Sequence, residues 1–93
     1  MIQGIKETVL YVHDLEQARQ FYGHTLQLTE HTYVPGKLLF YEVGYDMLLM
    51  FNPSHSQQPR SVPRHYGGGE QHFCFEVPLD QYEAWKERLM VAG

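Results

Sequence analysis

Ninety-three residues allow one domain at most, and a chain this short buries only a thin core unless a partner covers part of it. Hydrophobic residues at 43% against 19% charged describe a folded chain rather than a disordered one. A net charge of -4 without a Lys/Arg run excludes an electrostatic nucleic-acid surface, no stretch approaches the roughly 18 apolar residues of a membrane span, and a lone cysteine, Cys74, excludes an internal disulfide.

The opening residues carry no basic segment followed by an apolar one, so a cytoplasmic location is expected. Ile5 to Val12 alternates as a strand, with Ile5, Glu7, Val9 and Tyr11 on one face and Lys6, Thr8, Leu10 and Val12 on the other. Asp14 then fits a helix N-cap, with Gln17 at the capping-box position. Leu15, Ala18, Phe21, Tyr22 and Leu26 recur at helical spacing and predict an amphipathic helix over 14–26.

Thr29 to Val34 is rich in β-formers and ends at the turn dipeptide Pro35-Gly36. Lys37–Val43 and Met47–Asn52 follow as strands joined by a short Gly44-Tyr45-Asp46 hairpin loop. Periodicity disappears from Pro53 to Gly69, which predicts a long loop containing Arg60, Arg64, His65 and Tyr66 and a flexible Gly67-Gly68-Gly69 run. Gln71 to Val77 then alternates as a strand, with His72, Cys74 and Glu76 on one face; Cys74, between Phe73 and Phe75, is expected to act as a small buried hydrophobe. Asp80 and Glu83 fit the cap of a second helix with Tyr82, Trp85, Leu89 and Met90 as its inward stripe and Gly93 at its C-cap. The order of elements over 5–26 begins to repeat over 72–90.

The run Glu7-Thr8-Val9-Leu10-Tyr11-Val12-His13-Asp14-Leu15, then Ala18, Phe21-Tyr22 and Leu26-Gln27-Leu28, resembles the opening of the vicinal-oxygen-chelate superfamily of glyoxalases, bleomycin-resistance proteins and dioxygenases. Gln27 stands where that family usually has glycine. The segment from His72 to Gly93 resembles the start of a second module. The resemblance implies an α+β fold of paired βαβββ modules: a first module over 1–52, a loop over 53–69, and over 70–93 a second module that stops after its β-α unit.

For a site, the resemblance implies metal ligands at Glu7, on the first strand, and at His72, on the first strand of the second module. The acid that the family can supply from its fourth strand aligns with Met50, which cannot serve a hard cation. A further acid belongs to a strand that the sequence does not include. The implied cofactor is a divalent ion, Fe, Mn, Zn or Ni, and the implied activity is that of a lyase, isomerase or dioxygenase acting on a small molecule. Glu7, between Ile5 and Val9 on its face, would be costly to bury without a cation, a donor or water beside it. The absence of an acid at Met50 favours a second reading, a metal-free binding protein that holds a planar compound among Tyr and Phe side chains. The unfinished second module leaves three outcomes open: a longer chain, a disordered tail outside the sequence, or a dimer in which partners complete each other's sheets. A homodimer is the partner expected.

Overall fold

The computed structural model describes residues 1–56 and 67–93. Four strands form one sheet: β1 (Glu7–Tyr11), β2 (Thr29–Val34), β3 (Leu38–Val43) and β4 (Asp46–Phe51), in the order β1-β4-β3-β2. β1 runs parallel to β4, and the other two pairings are antiparallel. The sequence-predicted βαβββ order is therefore present. Gly36 and Gly44 take left-handed conformations at the two hairpin turns, where their lack of a Cβ is used. The β3–β4 turn is tighter than expected: Val43 already pairs with Asp46, leaving Gly44 and Tyr45 between the strands.

Register assigns each strand residue to a face. Directly paired residues share a face, so Leu10, Leu39 and Met50 line up, as do Tyr41 and Leu48. These five, with Leu15 and Ala18 from the helix, make the main buried cluster, and Leu49 and Phe51 on the other face are buried too. The opposite face carries Val9 and Tyr11 from β1, Leu38 and Phe40 from β3, and Leu49 and Phe51 from β4. Tyr41 and Met50 thus belong to the core, whereas Phe40 lies on the other face, edge-on to Phe51 at 5.5 Å.

The first helix starts as expected. Asp14 has extended backbone, and its carboxylate accepts from the Gln17 backbone N–H at 3.0 Å. The α-helical part, α1 (Leu15–Arg19), then widens into a π-helical stretch, Gln20–Thr25, seen in the Leu26 N–H to Phe21 C=O bond. The widened stretch lays Gly23 on the Tyr41 ring: a Cβ at Gly23 would stand 2.9 Å from the Tyr41 hydroxyl oxygen. Gln27 closes the helix in the left-handed conformation, φ 58°, and Leu28 N–H bonds back to Tyr22 C=O.

Pro53–Ser56 forms one helical turn, α2, inside the expected loop. Arg60, Arg64, His65 and Tyr66 lie outside the described residues. At Gly67 the chain passes close to Tyr11, whose ring would lie 2.7 Å from a Cβ there.

Gln71–Val77 differs from expectation. It joins no ladder, because the Gln71 side chain takes the β1 edge at Tyr11 and Phe73 turns inward to pack against the core. Cys74 is consequently exposed, not buried. The last helix, α3 (Tyr82–Ala92), is preceded by a 3-10 turn, Leu79–Gln81, that begins directly after Pro78. That turn places Asp80 inside the helical entry, so Asp80 does not cap the helix; Gln81 occupies the cap position without a side-chain bond. Gly93 does close α3, donating to Leu89 C=O at 3.2 Å. Within the expected inward stripe Trp85 is half-buried, but Met90 is 74% exposed. Arg88 ties the helix to the body of the protein through the Thr25 carbonyl at 2.6 Å and lies over the Trp85 ring.

Candidate functional site

The sheet face turned away from α1 is the candidate site. Tyr11, Phe51 and Phe40 make an aromatic row across it, and Leu38, Val9 and Leu49 complete an apolar floor. At one end of this floor Glu7, Met47 and Glu42 stand in register on adjacent strands. Two exposed carboxylates therefore flank a methionine at the rim. The sequence reading did not single out Glu42; the register of β3 against β4 is what brings it onto the Glu7 row.

Glu7 is exposed, so its charge needs neither a cation nor a buried donor to be tolerated. Met50 is not the position facing Glu7. It pairs with Leu10, is fully buried, and packs under the helix. The β4 residues on the Glu7 face are Met47, Leu49 and Phe51, none of which is an acid. The expectation that β4 supplies no carboxylate to this face thus holds, at different positions.

His72 is exposed and follows Gln71, whose carboxamide accepts from Tyr11 N–H at 2.6 Å and donates to Tyr11 C=O at 2.9 Å. Tyr11 is the last residue of β1 and Glu7 the first, a separation of about 13 Å along a strand. An imidazole and a carboxylate have the right donor chemistry for zinc, iron, manganese or nickel. A closed metal centre needs more, and among the described residues no three His, Cys, Asp or Glu side chains stand together as a metal site. The described residues alone therefore do not fit a bound ion.

The remaining polar features are structural. Arg19 pairs with Glu30 at 2.7 Å and lies 4.3 Å over the Tyr33 ring, while the Tyr33 hydroxyl donates to Glu16. That hydrogen bond, with smaller contributions from desolvation and charge, holds the Tyr33 hydroxyl above the ordinary tyrosine range. Burial does the same to Tyr41. His24 and His31 are exposed, and His31 shares a hydrogen bond with Thr32. No described helix is long and apolar enough to cross a membrane.

No family model matches the sequence, and no curated protein does. Solved structures do. A lactoylglutathione lyase from Agrobacterium tumefaciens is 35% identical with a TM-score of 0.90, over 98% of this chain and 71% of that one. A possible glyoxalase from Bacillus cereus (21% identity, TM-score 0.68, 99% of this chain and 76% of that one) shares the fold. So does a genomically encoded fosfomycin resistance protein from Listeria monocytogenes, at 20% identity and a TM-score of 0.70, over 100% of this chain and 67% of that one. With its βαβββ sheet, the apolar face opposite α1 and these likenesses, the chain belongs to the glyoxalase/bleomycin resistance/dioxygenase, or vicinal-oxygen-chelate, superfamily.

Proposed function

We propose that the protein is a glyoxalase-like lyase acting on a small molecule of the lactoylglutathione type, held on the sheet face of Tyr11, Phe40 and Phe51. The observation that carries this reading is the 35% identity, sustained over 98% of the chain, to a lactoylglutathione lyase. The face offers an apolar, aromatic floor beside the acidic rim of Glu7 and Glu42. The family resemblance points to Glu7 and His72 as two donors for a divalent ion. Standing at opposite ends of β1, they would hold it only together with other donors, and the ion when bound would supply Lewis acidity to a substrate oxygen. Further donors would come from outside the described residues.

The test combines titration calorimetry with a thioester assay. Wild type should take up Mn²⁺, Fe²⁺, Zn²⁺ or Ni²⁺ stoichiometrically, and E7A and H72A should each weaken uptake by roughly 10-fold or more, as loss of one donor does. Turnover of lactoylglutathione, followed by thioester absorbance, should depend on the same ion. Unchanged uptake in both variants would remove Glu7 and His72 from the site.

The apolar identity of Met47, Leu49 and Phe51 on the Glu7 face favours a second reading, a bleomycin-resistance-like binder that needs no metal. It is distinguished by tight binding of a planar aromatic compound with no stoichiometric metal uptake.

A further inference from the structure

The three members of the Gly67-Gly68-Gly69 run do different things. Gly67 lies on the Tyr11 ring: a Cβ there would stand 2.7 and 2.9 Å from two of the ring carbons. Gly68 has open space around it, and Gly69, at φ 79°, turns the chain through a left-handed conformation. Two residues after that turn the Gln71 carboxamide accepts from the Tyr11 N–H at 2.6 Å and donates to the Tyr11 C=O at 2.9 Å. Phe73 then packs against the cluster beneath α1. The chain therefore wraps the end of β1. It touches Tyr11 first on the ring and then on the backbone, and fixes itself on the opposite face of the sheet. Tyr11 is also the half-buried end of the aromatic row of the candidate site, its ring 6.5 Å from that of Phe51.

We propose that Gln71 and Gly67 are positioning residues for the Tyr11 ring, which together they fix as the end wall of the ligand face, opposite the Glu7 rim. The inference rests on the reading that this face holds the ligand, and adds which residues bound it. A side chain locked by packing and hydrogen bonds meets a ligand without paying an ordering cost at that moment. Its contribution therefore appears in affinity more than in the chemical step. Both residues are suited to the task by type. A carboxamide carries an acceptor and a donor on one side chain and so matches the N–H and C=O of a single residue, whereas an ionised glutamate offers acceptors only. Gly67 is not in the left-handed region, so an alanine there is opposed by the Tyr11 ring and not by the backbone.

The experiment measures KM and kcat for lactoylglutathione, hydrogen exchange at the Tyr11 amide and thermal midpoints, on wild type and on Y11A, Q71A, Q71E, G67A and Y11A/Q71A. Wild type should protect the Tyr11 amide, a readout that needs no variant to fold. Q71A should lose that protection and raise KM about 10-fold, the effect of losing a pair of hydrogen bonds, with a much smaller change in kcat. Q71E, which keeps an acceptor for the Tyr11 N–H, should lie between the two, and G67A should raise KM as Q71A does. Y11A/Q71A should have the KM of Y11A alone, because the clamp then has no ring to hold. A purely structural Gln71 would lower the thermal midpoint and leave KM unchanged. That result, an unprotected Tyr11 amide in wild type, or additive effects in Y11A/Q71A overturns the inference. A Y11A that leaves KM unchanged, or a protein without thioester turnover, takes the reading of the face down with it. A Y11A that raises KM beside a Q71A that does not sinks the anchoring alone.

Discussion

Gln27 shows how one residue can carry a local cost that its neighbours absorb. Its φ of 58° lies in the left-handed region, where a side chain crowds the following carbonyl. Gln27→Gly should therefore raise stability by about 0.5–1 kcal/mol, the relief being partly offset by glycine's greater freedom in the unfolded chain, and a urea midpoint measures it. Tyr41 carries a second cost. Its side chain is fully buried and its hydroxyl has no hydrogen-bond partner among the described residues. Tyr41→Phe removes that unmet group while keeping the ring that packs against Tyr22 and Gly23. It should be neutral or stabilising by about 1 kcal/mol in the same measurement, whereas a loss of stability would mean that the hydroxyl is bonded in solution.

At the scale of the element, the first helix depends on its start more than on its length. Only Leu15–Arg19 is regular α-helix before the chain widens, and the Asp14 carboxylate satisfies one of the few N–H groups at its head. Asp14→Ala should cost about 1 kcal/mol, read as a fall in thermal midpoint, with Asp14→Ser recovering most of it. The other end was only half legible. The Leu26-Gln27-Leu28 run signals a stop, but neither apolar spacing nor propensity announces a π-helical stretch. That geometry follows from Gly23 seating on Tyr41, a contact between residues 18 positions apart in the sequence. The segment Gln71–Val77 illustrates the opposite failure. Its alternation is that of a strand, yet strand pairing is a property of two segments, and the Gln71 side chain occupies the edge that a ladder would use.

For the whole molecule, the division of the sheet into two faces decides what chemistry is available. The face beneath α1 is closed by Leu15 and Ala18, whereas the other carries half-buried Tyr11 and Phe40 with buried Leu49 and Phe51 behind the Glu7 rim. The predicted effects of E7A and H72A on metal uptake belong to this scale, because they require donors from separate parts of the chain to converge. α3 is the least integrated element. It buries no residue fully, and with Phe75, Leu26, Leu28 and Val43 it borders an apolar cleft of about 410 Å³.

Local patterns were enough to specify the βαβββ order, the faces of β1, the Asp14 cap and the turns at Gly36 and Gly44, since each depends on neighbours a few residues apart. They also carried the family resemblance. Tertiary structure alone decided that Met50 lies in the core while Met47, Leu49 and Phe51 share the face of Glu7, that Glu42 joins the Glu7 row, and that Cys74 is exposed. The reason is register. A strand's alternation separates its two sets of residues, but only hydrogen bonding to a particular partner determines which set meets the helix and which faces away from it.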